Sequence, residues 1–331
     1  MRAVMISEPG GPDVLKIGEI PQPIPQADQV LVRVDAAGLN RADLLQRKGG
    51  YPAPAGIRAD IPGLEFAGIV ADVGSAVDQW KVDDRVFGIV GGAGQAEYVV
   101  TAADQIAAIP SNLDPIAAAA VPEVFMTAYD ALQQGGLAAD KRVLVHAVGS
   151  GVGTAALQLA KAAGAMVYGT ARTAAKLKQA TELGLEQGFV QDGDSWVSEL
   201  MAATGGQGVD LVLDFVGAPL LQANLDVLAS RGRIIVIGTM GGARGELNLG
   251  LLMRKRACII GTMLRIRPPA EKARLTGDFA RDVVPLLASG EVKPIIDRVF
   301  LFDQIAGAHR YMESNANFGK IVLAVGVPVS H

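Results

Sequence analysis

A chain of 331 residues is long enough for two domains, and half of it is hydrophobic, enough for a sizeable core in each. Only 19% of the residues are charged and 40 are glycine, which excludes a disordered polar chain and suits a turn-rich α/β protein. The formal net charge of −4 gives no general attraction for nucleic acid, and the single cysteine, Cys258, rules out an intrachain disulfide.

The amino-terminal stretch MRAVMISEPGGPDVLKIGEI alternates like a strand and then turns, without the apolar centre of a signal peptide. Val30–Val34 alternates as well, and Phe66–Val73, Arg85–Val90 and Ala96–Val100 read as further strands. Pro and Gly clusters such as PQPIPQ and YPAPAG separate them. Short strands at this spacing predict a barrel or a partly open sheet. From Asp114 the character changes. Val143–His146, Met166–Thr170, Val209–Asp214 and Arg233–Ile237 are strands; Gly153–Ala163, Ala174–Leu183, Ser195–Ala203 and Leu220–Ala229 are helices. The middle strands are β-branched runs without polar alternation, as parallel strands buried on both faces should be. Alternation of this kind predicts a doubly wound parallel sheet. After Thr262 come a helix, Arg274–Ala288, and strands at Arg298–Leu301 and Ile321–Ala324, so the tail is expected to rejoin the first domain. No apolar run reaches the ~20 residues of a membrane span. A soluble, cytoplasmic protein that engages neither membrane nor nucleic acid is expected.

The segment RVLVHAVGSGVGTAALQLAKAAG (142–164) joins a strand to a helix through a glycine turn. Glycines let the backbone approach a pyrophosphate, and the helix N-terminus supplies free N–H groups and partial positive charge. A literal G-x-G-x-x-A falls at Gly151, Gly153 and Ala156. Gly153 fits better as the position that packs helix on strand, with Val148 and Ser150 before it. Gly149, Ser150, Gly151, Val152 and Gly153 are therefore the expected phosphate cradle; a merely structural tight turn is the alternative. In NAD sites a carboxylate about 20 residues on bonds the ribose 2′-hydroxyl. Here the next strand ends in Thr170, Ala171, Arg172 and Thr173, with Lys176 following and no carboxylate before Glu182. Arg172 and Lys176 can neutralise a 2′-phosphate, which predicts NADP(H), or they are solvated cations at a helix start. Phe215, Val216 and Gly217, and then Gly238, Thr239 and Met240, follow the carboxyl ends of two strands, where such loops contact the cofactor. Met263, Leu264 and Arg265 follow a sixth candidate strand, CIIGT.

Taken together, GLNRADLLQRKGGYP (38–52), PGLEFAGIV (62–70), AAAAVPEVFMTAYDAL (117–132), HAVGSGVGTAALQLAK (146–161) and NANFGKIVL (315–323) resemble the medium-chain dehydrogenase/reductase superfamily. The likeness is to its quinone oxidoreductase branch, which includes zeta-crystallin, and NRADLLQR and GSGVGTAALQL are similar to the stress-inducible quinone oxidoreductases of animals. The resemblance implies a GroES-like β-rich catalytic domain over 1–122, completed by 266–331, and a Rossmann NADP(H)-binding domain over 123–265. The superfamily's alcohol dehydrogenases hold a catalytic zinc. In this chain Asn40 stands where their first ligand cysteine would be, and Leu64 replaces the histidine before Glu65. A four-cysteine structural lobe is absent, and His146, His309 and His331 are scattered. No bound metal is expected, because a zinc site needs about three or four converging ligands.

By resemblance Asn40, Asp43 and Tyr51 line the cleft beside the nicotinamide, and Thr127 lies near it. Tyr51 would pack on a quinone ring and bond its oxygen, or it anchors a proline-rich loop. Asn40 and Asp43 could instead cap a short helix, and Thr127 could bond its own helix backbone. The resemblance places Met263, Leu264 and Arg265 facing the nicotinamide, Gln191 near the adenine, and Asn317 and Lys320 in a cofactor-contacting tail; Lys320 reads equally as a solvated lysine. It also implies a homodimer paired through the sheet's edge strand. The expected activity is NADPH-dependent, metal-free hydride transfer to a small-molecule quinone. The alternatives are reduction of an enone or enoyl thioester, and non-catalytic NADPH binding.

Overall fold

The computed structural model describes residues 1–326. Residues 327–331, which include His331 and the predicted end of the first domain, lie outside the described residues. In chain order the elements begin with β1 (Arg2–Ile6), β2 (Leu15–Glu19), β3 (Gln29–Leu39), α1 (Arg41–Arg47), β4 (Glu65–Val73), β5 (Arg85–Ile89), β6 (Tyr98–Ala102), β7 (Ile106–Ala108), α2 (Pro115–Ala119) and α3 (Pro122–Gln134). Strictly alternating strand and helix follow: β8 (Arg142–Val145), α4 (Gly151–Ala162), β9 (Met166–Ala171), α5 (Ala174–Glu182), β10 (Gln187–Val190), α6 (Ser195–Ala203), β11 (Val209–Asp214), α7 (Leu221–Val227), β12 (Leu228–Val236), α8 (Leu249–Lys255) and β13 (Cys258–Gly261). The chain ends with α9 (Pro269–Asp282), α10 (Val284–Ser289), β14 (Ile296–Leu301), α11 (Ile305–Glu313) and β15 (Lys320–Ala324).

Two compact units result. Met1–Met126 and the segment from Leu264 onward form the first; Thr127–Met263 forms the second, so the division falls inside α3. The first unit holds a seven-stranded sheet with path β14-β15-β3-β4-β5-β7, β6 pairing β3, and a separate β1–β2 hairpin. Its core strand β3 is long because it serves three partners. β4 and β6 pair with its amino-terminal part, and β15 lies antiparallel on the other end, Ile321 opposite Leu39. Every residue of β15 is buried. Val32, Val34, Leu39, Phe66, Ile321 and Leu323 meet in one apolar cluster there.

The second unit is a six-stranded parallel sheet, β10-β9-β8-β11-β12-β13. Counted within the unit this order is 3-2-1-4-5-6, with the reversal between β8 and β11, where doubly wound sheets bind dinucleotides. β8 and β11 are almost wholly buried, which accounts for their unbroken apolar sequences.

Several elements differ from the sequence reading. The strand expected over Ala96–Val100 starts at Tyr98; Ala96 makes an isolated bridge to Ala3. The helix expected over Arg274–Ala288 is two helices, because Pro285 has no N–H to continue the ladder and α10 restarts around it. α8 and α11 carried no prediction. Arg254 and Lys255 form the last turn of α8, and Arg256 caps it. The Lys255 ammonium bonds the carbonyls of Asp226 at 2.6 Å and Leu228 at 2.5 Å.

Candidate active site

In the second unit, β8 delivers the chain to the glycine turn. Ala147 takes a left-handed conformation at φ 44°, and Ser150 caps α4, its Oγ accepting the Gly153 N–H at 3.0 Å. A Cβ on Gly153 would stand 2.5 Å from the Ala147 carbonyl oxygen and 2.7 Å from that of Val148. Backbone contact therefore excludes a side chain there, and the helix N-terminus lies hard against the turn. Ser150, Gly151 and Val152 remain partly exposed, so the first N–H groups of a twelve-residue helix are open to an anion. These residues fit a dinucleotide pyrophosphate. Gly153→Ala is expected to cost about 1–3 kcal/mol through overpacking and to weaken dinucleotide binding roughly tenfold or more. Fluorescence titration and thermal melts check this; unchanged affinity would show that the turn accommodates a Cβ.

Beneath the turn runs a fully buried polar chain. The Asn224 amide donates to Asp214 Oδ2 at 3.0 Å, so its Oδ1 accepts from His146 Nε2 at 2.6 Å. His146 Nδ1 is then the acceptor for the Thr170 hydroxyl at 2.8 Å. Burial lowers the His146 pKa, consistent with a neutral ring. Asp214 Oδ1 accepts the N–H groups of Val216 at 2.7 Å and Gly217 at 2.9 Å, fixing the loop after β11 with Gly217 at φ 88°. His146 is thus a satisfied structural histidine. The expectation for Thr170 needs correction: its hydroxyl is wholly buried and committed to His146, so its side chain does not present itself to a cofactor.

The other residues expected at the cofactor in this unit sit at strand ends or just beyond them. Arg172 is exposed just past β9 and Lys176 is half-buried on α5. Gln191 follows β10, its backbone N–H on the Ala171 carbonyl at 2.9 Å. Phe215 is buried, while Thr239, Met240 and Met263 are exposed. Gly238 packs against the Phe215 carbonyl, where a Cβ would come within 3.2 Å. Thr127 is buried on α3.

The first unit gathers Asn40, Asp43, Tyr51, Glu65, Glu123, Arg265 and Lys320. Asn40 starts α1, and its backbone N–H donates to Asp43 Oδ2 at 2.7 Å, the return half of a capping box. Asp43 Oδ1 accepts the Gly63 N–H at 3.0 Å. So the helix-capping alternative describes Asp43. Burial nevertheless pushes its carboxyl up to about 6, against those two hydrogen bonds and the Lys320 charge. The Asn40 side chain turns elsewhere, its Nδ2 donating to Glu65 Oε1 at 2.7 Å.

Lys320 departs from both readings of it. It is 3% exposed, and its ammonium bonds Glu65 Oε1 at 2.6 Å, Asn40 Oδ1 at 2.8 Å and the Leu39 carbonyl at 2.9 Å. All three of its donors are used, so the ammonium neither points into solvent nor has a hydrogen left for a cofactor. Asn317, expected beside it in a cofactor-contacting tail, is buried and donates to the Gly319 carbonyl at 2.8 Å. Arg265, expected at the nicotinamide, is buried too. It bonds the carbonyls of Gly91 and Tyr51 at 2.8 and 3.2 Å and Gln46 Oε1 at 2.7 Å, and its guanidinium lies 4.6 Å from the Tyr51 ring centroid. It therefore clamps the loop that carries Tyr51. Leu264 is half-buried next to it.

Asn40 and Leu64 stand at the positions that resemble zinc-ligand positions, and Glu65 follows Leu64 directly. A neutral amide and one carboxylate, both clasping an ammonium, do not fit a metal ion. Among the described residues no group of three or more His, Cys, Asp or Glu side chains could hold one.

Glu123 was quoted within a motif but given no part. Its backbone N–H donates to Glu65 Oε2 at 2.8 Å. Burial, then the Glu65 charge, pushes its carboxyl up to about 8. A lone acid in the apolar run AAAAVPEVFM was the available signal. Burial, followed by the Glu123 charge, also raises the Tyr51 phenol.

Comparison with known proteins bears on both units. Residues 26–111 match the alcohol dehydrogenase GroES-like domain and residues 151–276 the zinc-binding dehydrogenase domain. The quinone oxidoreductase of Lama guanicoe is 33% identical over 328 residues, spanning 98% of this chain and 97% of that one. The chain belongs to the medium-chain dehydrogenase/reductase superfamily. The superfamily's solved members include an Escherichia coli quinone oxidoreductase complexed with NADPH, at 30% identity and TM-score 0.89, covering 98% of this chain and 100% of that one. They also include CurK enoyl reductase, at 29% identity and TM-score 0.86, covering 98% of each. As a superfamily member the chain is an oxidoreductase that uses a nicotinamide cofactor and acts on small molecules. Among the described residues no helix is long and apolar enough to cross a membrane.

Proposed function

We propose that this oxidoreductase transfers hydride from NADPH to a quinone without a metal. The observation that carries the reading is the Lys320 ammonium held by Asn40 and Glu65. Those positions neutralise a carboxylate and offer no Lewis acid to polarise an alcohol or an unactivated carbonyl. The acceptor must therefore take hydride readily, and a quinone does, because its product is an aromatic hydroquinone. When bound, the reduced nicotinamide supplies that hydride. The α4 N-terminus and its glycine turn hold the pyrophosphate, and exposed Arg172 with Lys176 meets the 2′-phosphate. Tyr51 packs on the acceptor ring and bonds its oxygen, held in place by Arg265. Full-length likeness to proteins named quinone oxidoreductase supports the same reading.

The likeness to an enoyl reductase supports a second acceptor class, enones and enoyl thioesters. We further propose a cytoplasmic homodimer; the single cysteine and the exposed edge strand β13 support that reading. Following NADPH oxidation at 340 nm with ortho- and para-quinones, enones and enoyl thioesters tests the assignment. Turnover with quinones is expected. Turnover confined to thioesters reverses the order of the two readings, and tight NADPH binding without any turnover leaves only a binding protein.

A further inference from the structure

Within the first unit, two polar side chains stand out as unengaged. Neither the Glu123 carboxyl nor the Tyr51 hydroxyl has a hydrogen-bond or ion-pair partner among the described residues. Both are only partly covered. After burial, the Glu123 charge is the next cause that raises the Tyr51 phenol. The hydrogen-bonding groups of their nearest polar neighbours are committed. Lys320 belongs to Glu65 and Asn40, Asp43 caps α1, and the hydrogen bonds of Arg265 go to neutral carbonyl oxygens. Three carboxyl groups, Asp43, Glu65 and Glu123, are thus gathered with Lys320, Arg265 and Lys272, and Glu123 is the one whose carboxyl accepts no hydrogen bond.

We propose that Glu123 is the proton donor of the reaction, its unengaged carboxylic acid delivering its hydrogen to the reduced acceptor. This rests on the hydride-transfer reading. Hydride addition to a quinone leaves an oxyanion. The carboxyl O–H bond of Glu123 breaks as the hydroquinone O–H bond forms, and solvent reprotonates the carboxylate. The sum is one NADPH, one proton and one quinone giving NADP⁺ and one hydroquinone. With an enone the same proton goes to the carbon α to the carbonyl. Tyr51 orients the acceptor oxygen.

Charged and titratable groups face Glu123 from every side. Asp43 of α1, Glu65 of β4, Lys320 of β15 and Arg265 beyond β13 act on it, and Lys272 of α9 lies within reach. Burial and the two acids together outweigh the cations and hold the group protonated up to about pH 8. An acid with that titration serves at neutral pH and fails in alkali.

The test is Glu123→Gln, read on whichever acceptor the wild type reduces. Wild-type kcat should fall about tenfold per pH unit above its acid limb near pH 8. The variant should lose about 100-fold in kcat at pH 7 and lose the limb, with NADPH affinity and acceptor KM held. Tyr51→Phe should raise acceptor KM and keep the limb. A Glu123→Gln enzyme with wild-type kcat and an intact limb overturns the proposal. Wild-type turnover of enones but not quinones overturns the quinone reading alone, because the variant is then scored on the enone.

Stability supplies a measurement independent of turnover. The carboxyl is raised from 4.5 to about 8 on folding, so its stabilising protonated form is complete below 4.5 and lost as pH rises through about 8. Glu123→Gln should therefore gain stability relative to wild type across that window in urea titrations. A pH-independent gap overturns the neutral acid.

Discussion

Replacing Lys320 with Met is expected to lower folding stability by about 3–5 kcal/mol, the cost of leaving one buried charge without its partner. The charge left behind is Glu65, fully buried on β4 and bonded at 2.6 Å to the missing ammonium. Asn40 would still donate to Glu65 Oε1, and the Glu123 N–H to Oε2, but a neutral donor does not balance a carboxylate. Adding Glu65→Gln to the variant should return a large part of the loss, since the pair's attraction and its desolvation nearly cancel. Urea unfolding of the four members of this cycle checks both statements. Additive losses would mean that the two side chains do not interact.

The second large effect concerns cofactor choice. Changing Arg172 and Lys176 together to Ala should weaken NADPH by about 100-fold, because hydrogen bonds to charged groups contribute roughly 1.5–3 kcal/mol each. NADH, which has no 2′-phosphate, should bind almost as before. Dissociation constants for both dinucleotides, measured at one fixed ionic strength, decide it. Equal weakening of the two would remove these residues from the 2′-phosphate and with them the preference for NADPH.

Much of the fold could be read from periodicity, and the reasons are local. β8 and β11 are buried on both faces, and α6 begins and ends where Ser195 and Ala203 were expected. α11 went unpredicted although Ile305, Ala308, His309 and Met312 lie on one buried stripe at helical spacing, because a histidine interrupts its apolar character. α8 went unpredicted because none of its residues is buried and no apolar face marks it. The site divides in the same way. Gly153 and Ser150 act through their own backbone neighbourhood, so a short window contains the information. Lys320 acts through Glu65 and Asn40, far away in sequence, and nothing in NANFGK shows that its ammonium is spent. Thr170 misled for the same reason, since its partner His146 lies just past the end of the neighbouring strand β8. Glu123 needed its surroundings in space before its unengaged carboxyl could be noticed.

The first unit is split along the chain, and synthesis gives that split an order in time. A nascent chain that has completed β13 can already close the contiguous parallel sheet, whereas β3 and β4 wait without β15. Until position 320 emerges, the Glu65 carboxylate faces folding with no ammonium, 255 positions ahead of its counter-charge. Domains generally fold as units, amino-terminal first, as they are made. Here the first unit cannot complete its sheet until β15 has been made. The last charged side chain of the described residues neutralises the interior, so a chain cut short before it keeps a buried negative charge that opposes collapse and marks it as unfinished.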